Sequence, residues 1–162
     1  MLDGIHKIHL IGIGGSGMRA IANILIQKGY DVSGSDVADS AVIEKFRNMG
    51  ATVHIGHNKD YVKGVDAVVR STAIREDNPE IVAAKEQGIT ILHRSDIVKA
   101  VLDVTDGIAV AGAHGKTSTT SMIGQILVEA EADPTVIIGG EVDYLKGSSC
   151  LGKGPVSYTH LR

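Results

Sequence analysis

Short apolar runs alternate along the chain with longer segments in which apolar residues recur every three or four positions. The short runs predict β-strands at residues 8–11, 31–35, 52–55, 67–70, 90–92 and 108–111. The longer segments predict helices at residues 18–28, 40–49, 79–87, from a Ser95 cap onward, and at 116–131. Because strands and helices alternate, the pattern predicts a parallel α/β sheet with right-handed crossovers.

The last predicted helix has apolar residues at helical spacing, and they predict a buried stripe: Met122, Ile123, Ile126, Leu127 and Ala130. Residues 108–162 supply roughly two strands and one helix, which is little core for an independent domain.

A glycine-rich segment, Gly12-Ile13-Gly14-Gly15-Ser16-Gly17, joins the first predicted strand to the first helix and contains G-x-G-x-x-G. Glycine lets the backbone approach a diphosphate, and a helix N-terminus offers free N–H groups and partial positive charge. Asp36 ends the second strand, where an acidic residue binds a ribose hydroxyl in Rossmann folds. This loop alone leaves three interpretations open: a dinucleotide such as NAD or FAD, a nucleoside diphosphate such as UDP, or a tight turn that only packs strand against helix.

A second glycine loop, at residues 112–118, lies between a predicted strand and helix and ends in Gly-Lys-Thr. The P-loop pattern requires a glycine where Val110 stands, so this loop is a shortened variant. Its backbone N–H groups can cradle phosphates, Lys116 can reach the β- and γ-phosphates, and Thr117 can bind Mg²⁺. The alternative is a chance Gly-Lys-Thr at a helix start. The Ser/Thr-rich run at 117–121 has a low helix propensity, and a phosphate site at the start of the helix would also explain it.

Composition and charge exclude some classes of protein. The formal net charge is -3 and no basic stripe with interleaved aromatic residues occurs, which argues against a nucleic-acid partner. No apolar run is long enough to span a bilayer and no signal-peptide pattern occurs, so we expect no membrane association. The single cysteine, Cys150, fits a reducing cytoplasm. The 7 histidines lack the spacing of metal ligands, although His57 and Arg94 lie near predicted strand ends, where ligands bind in such sheets.

The two loops together, with the segments around them, resemble the Mur ligase family, and within it the members that join L-alanine to UDP-N-acetylmuramate. The resemblance covers about residues 5–154, and the matching segments are 9–18, 34–36, 71–74, 78–80, 109–120 and 137–142. It implies a cytoplasmic, ATP-dependent, amide-forming ligase of peptidoglycan synthesis. In the family reaction ATP phosphorylates the lactyl carboxylate to an acyl phosphate, and the amine of L-alanine then attacks it.

The resemblance also implies roles for individual residues. It assigns UDP-sugar binding to Gly14, Gly15, Ser16, Gly17, Met18, Asp36 and Ser71. It assigns ATP binding to Gly112, Ala113, His114, Gly115, Lys116, Thr117 and Ser118. Lys116 would be the catalytic residue and Thr117 the Mg²⁺ ligand.

A complete family member has three domains, so we expect a Rossmann-like UDP-sugar-binding domain at residues 1–105 and the truncated start of a P-loop ATP-binding α/β domain at 106–162. After Gly154 the resemblance predicts a further strand and an acidic Mg²⁺-binding cluster, but the atypical tail at 155–162 supplies neither. The L-alanine site would lie in a missing C-terminal region, so we expect no ligase activity from this chain alone. An NAD-dependent oxidoreductase and a non-catalytic nucleotide-binding module remain the alternatives.

Overall fold

The computed structural model describes residues 2–103, 106–145 and 147–159. Contacts divide the chain into two compact units, Leu2–Ile97 and Val98–Arg162. The division falls inside a helix, α4, whereas our predicted domain boundary follows residue 105; that boundary stays a prediction.

In chain order the first group of elements is β1 (Lys7–Ile11), α1 (Ser16–Gln27), β2 (Asp31–Asp36), α2 (Ala41–Asn48), β3 (Thr52–Ile55), a 3-10 turn (Lys59–Val62), β4 (Ala67–Arg70), α3 (Pro79–Glu86), β5 (Thr90–His93) and α4 (Arg94–Leu102). The remaining elements are β6 (Gly107–Val110), α5 (Lys116–Glu129), β7 (Thr135–Val142), a 3-10 turn (Asp143–Leu145), β8 (Gly147–Cys150) and β9 (Val156–Thr159).

The first unit is built on a 5-stranded sheet in the order β3-β2-β1-β4-β5, with every neighbouring pair parallel. This confirms the predicted parallel α/β architecture. The strand order reverses between β1 and β4, and ligands of open α/β sheets bind at the carboxyl ends of the strands at such a point. The fold therefore places the first glycine loop, which follows β1, at the position where this architecture binds ligands.

Apolar side chains cover both faces of the central strand of this unit. Ile8, Leu10 and Ile11 of β1 are completely buried. One face of the sheet packs in a cluster that includes Ile11 and Ile81 of α3. A strand buried on both faces needs such a nearly continuous apolar run, which is why its position was predictable.

The helix after β5 corrects one prediction. Ser95 does not cap it, because α4 begins at Arg94. His93 takes the capping position instead: its Nδ1 accepts a hydrogen bond from the Ser95 N–H at 3.3 Å, and its own N–H donates to Asp96 Oδ2 at 2.7 Å. This reciprocal pair satisfies the helix start in the manner of a capping box.

The second unit contains a 4-stranded sheet in the order β6-β9-β7-β8, in which β8 is antiparallel to β7. Two expectations were wrong here. Residues 108–162 form more than two strands, and the tail supplies a strand, β9, which pairs in parallel with both β6 and β7. Val, Tyr and Thr in that segment favour strands, and pairing on both sides satisfies its backbone groups.

The predicted buried stripe of α5 was also wrong. Met122 and Ile126 are 59% and 65% exposed, whereas Thr120 and Gly124 are buried. A Cβ added to Gly124 would lie 3.0 Å from a methyl of Val136 in β7, so the helix uses its small residues to approach the sheet closely. Ile123 and Leu127 are half-buried and Ala130 is exposed, so the apolar spacing identified the helix correctly but only part of the side on which it packs.

Within the described residues, no helix is long and apolar enough to cross a membrane.

Candidate functional site

The first glycine loop is fastened to the end of β2. The N–H groups of Gly12 and Ile13 both donate to the carbonyl oxygen of Ser35, at 2.8 and 3.1 Å, and Gly15 N donates to Gly12 O at 3.0 Å. The chain then enters α1 at Ser16 without a side-chain cap and without an acidic residue in the first turn. The helix start therefore keeps its partial positive charge available for an anion.

Asp36 lies against this loop. Its Oδ2 accepts a hydrogen bond from Gly14 N at 2.8 Å. A Cβ on Gly14 would come within 2.9 Å of the same oxygen, so only glycine allows the approach. The structure thus brings together two residues that were predicted to bind the sugar nucleotide and that lie on different strand ends.

Arg94 adds a positive charge at the same place. Its guanidinium lies against Gly17, in the space that a Cβ on Gly17 would occupy. From the sequence, Arg94 was expected near a strand end but was not predicted among the UDP-sugar-binding residues. The signal was available: a guanidinium directly after β5 stands at the carboxyl edge of the sheet, and its planar fork suits a diphosphate.

The other predicted UDP-sugar residues differ in how well they are placed. Ser71 follows β4. Leu10 of β1 pairs with Val69 of β4, so Gly12 and Ser71 each lie two residues beyond this pair on their own strand. Gly15, Ser16 and Gly17 form the entry to α1. Met18 is less suited to direct contact, because its side chain is buried and its N–H already donates to Gly15 O at 2.8 Å.

A buried polar cluster, which was not predicted from the sequence, lies behind the loop. His9, Ser35 and Glu80 are each completely buried. Burial would raise the pKa of Glu80, but hydrogen bonds from His9 and Ser35 outweigh it and hold that pKa below its usual value. Glu80 is therefore a buried carboxylate anion, which is uncommon unless the charge is compensated.

The second glycine loop joins β6 to α5. Gly115 precedes the helix with a φ of 75°, a left-handed conformation that favours glycine. The Lys116 ammonium folds back over the loop and donates to the carbonyl oxygens of Gly112 at 2.6 Å and Ala113 at 3.3 Å. Ala113, His114, Thr117 and Ser118 are exposed.

These residues fit a nucleoside triphosphate. The start of α5 has no side-chain cap and no acidic residue in its first turn, so its N–H groups and the Lys116 ammonium form a compact donor set for phosphate oxygens. Among the residues that the structure describes, no cluster of three or more His, Cys, Asp or Glu could hold a metal ion. Mg²⁺ commonly binds to few protein ligands together with substrate phosphates, and the exposed Thr117 hydroxyl at the start of α5 fits such a role.

Comparison with known proteins gave three kinds of match. A family model described as "Mur ligase family, catalytic domain" matches residues 7–104. The UDP-N-acetylmuramate–L-alanine ligase of a Sulfurihydrogenibium species is 47% identical over 150 residues, which cover 93% of this chain and 33% of that protein. The ligase of the same name from Delftia acidovorans is 45% identical over 154 residues, 95% of this chain and 32% of that protein. The chain therefore spans about a third of the length of these curated relatives.

Solved structures agree with these matches. A crystal structure of UDP-N-acetylmuramate-alanine ligase from Thermotoga maritima superposes with a TM-score of 0.88 at 36% identity, covering 94% of this chain and 36% of that one. The UDP-N-acetylmuramate:L-alanyl-gamma-D-glutamyl-meso-diaminopimelate ligase from Neisseria meningitides gives a TM-score of 0.87 at 25% identity, covering 97% of this chain and 52% of that one.

Proposed function

The chain belongs to the Mur ligase family, and we propose that it carries the sugar-nucleotide site and the ATP phosphate loop of an enzyme that ligates L-alanine to UDP-N-acetylmuramate. One observation carries the proposal: the α1 N-terminus, the Asp36 carboxylate and the Arg94 guanidinium converge on one glycine loop. Relatives named for this reaction match over more than nine-tenths of the chain.

In the proposed site each group takes the part of the ligand that matches its charge. The N–H groups of Ser16 and Gly17 and the Arg94 guanidinium bind the diphosphate, and Gly15, whose own N–H is engaged by Gly12 O, lets the backbone approach it. Asp36, at the end of β2, accepts hydrogen bonds from the ribose hydroxyls. Ser71 contributes a hydroxyl from the end of β4, on the side of the loop away from β2.

The second loop is proposed to bind ATP through Gly112, Ala113, His114, Gly115, Lys116, Thr117 and Ser118. ATP, when bound with Mg²⁺, supplies the phosphoryl group that activates the lactyl carboxylate as an acyl phosphate. Lys116 stabilises negative charge at the transferring phosphate, and the Thr117 hydroxyl holds Mg²⁺. We propose residues 1–105 and 106–162 as the two corresponding domains, and a cytoplasmic location for the protein.

Calorimetric titration of the chain with UDP-N-acetylmuramate, UDP, NAD and Mg-ATP tests the proposal. We expect both uridine nucleotides to bind and NAD not to bind. Arg94→Ala should weaken UDP binding roughly tenfold or more, because a charged hydrogen-bond partner of the diphosphate is lost. The matched control is Arg75→Ala, since the Arg75 side chain is 84% exposed and forms an ion pair with Asp77 on the surface.

Two outcomes would contradict the proposal. NAD binding without a response to UDP would favour an oxidoreductase. Equal effects of Arg94→Ala and Arg75→Ala would remove Arg94 from the site. The chain by itself should not release ADP in an alanine-dependent coupled assay, because we propose that the L-alanine site lies outside these residues.

A further inference from the structure

Glu80, at the start of α3, occupies a buried site with a donor for each of its lone pairs. Its Oε2 accepts from Ser35 Oγ at 2.7 Å and from His9 Nε2 at 3.2 Å. Its Oε1 accepts from His57 Nδ1 at 3.1 Å and from the Asn58 N–H at 3.2 Å. A carboxylate offers about four acceptor positions, so this one is saturated.

These contacts determine where the protons lie on the two imidazoles. A carboxylate only accepts, so His9 carries a proton on Nε2 and His57 carries one on Nδ1. The Ser35 hydroxyl gives its proton to Glu80 and is therefore the acceptor in its 3.2 Å contact with His57 Nδ1. The cluster has one consistent hydrogen-bond pattern, and it depends on the charge of Glu80.

Ser35 connects this cluster to the nucleotide loop. Its side chain donates to Glu80, while its carbonyl oxygen accepts the N–H groups of both Gly12 and Ile13. The next residue is Asp36, whose carbonyl oxygen accepts from Gly56 N at 2.7 Å and whose carboxylate accepts from Gly14 N. Fixing Ser35 therefore fixes both the start of the glycine loop and the base of Asp36.

We propose that Glu80 is a positioning residue for the sugar-nucleotide site, which it holds in the binding geometry through the Ser35 hydroxyl. This inference rests on the proposed binding of UDP at the glycine loop. Glu80 does not touch the ligand. It acts on the Ser35 side chain, whereas the loop is bound to the Ser35 carbonyl. Through His57 and Asn58, Glu80 also holds the segment that follows β3.

The chain offers a matched pair of variants to separate positioning from general stability. Ser33 and Ser35 lie on the same face of β2, and both hydrogen-bond to the buried groups: Ser33 to His9 at 2.8 Å and Ser35 to Glu80. Only the Ser35 carbonyl receives the N–H groups of the glycine loop. Ser35→Ala should therefore loosen the loop, whereas Ser33→Ala should only weaken the core.

The first measurement needs no ligand. Hydrogen exchange of the Gly12 and Ile13 amides, corrected for the global stability of each variant, should be roughly tenfold faster in Ser35→Ala and within about twofold of the parent in Ser33→Ala. Long-range ¹⁵N–¹H correlation spectra of the parent should show His57 as the Nδ1–H tautomer. Equal exchange in the two variants, or His57 as the Nε2–H tautomer, would overturn the inference.

The second measurement is UDP affinity by calorimetry. Glu80→Gln keeps the shape but removes half of the acceptor capacity, so both Glu80→Gln and Ser35→Ala should weaken UDP binding by roughly fivefold to tenfold, and Ser33→Ala should not. If Glu80→Gln does not fold, the serine pair carries the test. If the parent binds UDP and Ser35→Ala binds it with the same affinity, the positioning role is contradicted but the proposed function is not. If the parent does not bind UDP, but Ser35→Ala still loosens the loop, the proposed function is contradicted but the positioning role is not.

Discussion

The two glycine loops have the same local plan but very different support. Each follows a parallel strand and opens a helix whose first turn has no acidic residue. Behind the first loop, β1 is buried and the Glu80 cluster holds the neighbouring strand. Behind the second, Ile108 of β6 is 40% exposed and the apolar residues Met122 and Ile126 of α5 face solvent. A loop motif thus predicts a type of chemistry, and the packing beneath it decides how rigidly the loop is held.

The largest effect should come from removing the buried charge beneath the first loop. Glu80→Ala leaves the donors of His9, Ser35, His57 and Asn58 without an acceptor, so the free energy of unfolding should fall by about 3–5 kcal/mol. Urea denaturation followed by circular dichroism measures this. Glu86→Ala, on an exposed position of the same helix, is the control and should change stability by less than about 0.5 kcal/mol. A loss in Glu80→Ala as small as that of the control would contradict the account of the cluster.

A second pair of variants compares the helices that follow the two loops. Ile24 of α1 is 1% exposed, so Ile24→Ala should cost about 2–5 kcal/mol through lost burial and a cavity. Ile126 of α5 is 65% exposed, so Ile126→Ala should cost less than about 0.5 kcal/mol in this chain. Urea denaturation of the two variants measures both losses of unfolding free energy. Similar losses would mean that α5 is packed as fully as α1.

A smaller effect is expected on ligand affinity alone. Asp36→Asn should weaken UDP binding by roughly tenfold, because the amide gives up one acceptor oxygen and the negative charge beside the ribose. Asp39→Asn is the matched control: Asp39 is 57% exposed and pairs with Arg47, and its replacement should leave the affinity unchanged. Calorimetry with UDP measures both. Were the two variants to lose affinity equally, a general loss of negative charge and not a specific contact would be responsible.

The smallest expected effect is a dependence of the first unit's stability on pH. Burial, together with the nearby His9, lowers the pKa of His54 below its usual 6.5. As the pH drops below about 6.5, the unfolded chain therefore binds a proton at His54 before the folded chain does, and the stability falls. The pKa of Glu80 is also lowered, so its stabilisation is present above the unfolded value of 4.5 and is lost as the pH falls through the lower folded value. Thermal unfolding at pH 7, 5.5, 4 and 3 measures both stages. Glu80→Gln should flatten the second stage and leave the first, and a second stage that persists in this variant would assign it to another group.

The local part of this structure was predictable from sequence, and the non-local part was not. The strands of the first sheet, the position of the loops at 12–17 and 112–118 between a strand and a helix, and the family were all predicted correctly, because each depends on residues close together in the chain. The buried pair of His9 and Glu80 joins residues 71 apart, and no local spacing signals it. Strand β9 likewise depends on pairing with β6 and β7, and the packed side of α5 depends on where Val136 lies. The roles assigned to individual site residues remain predictions.

The resting position of Lys116 has a consequence for nucleotide binding. Its ammonium is already engaged by two main-chain carbonyls, so a triphosphate that binds as proposed would not meet a bare cation but would exchange partners with Gly112 and Ala113. The net gain for the nucleotide is the difference between the two sets of contacts. A single phosphate ion offers fewer contacts in that exchange, so we expect it to bind at this loop more weakly than a triphosphate does.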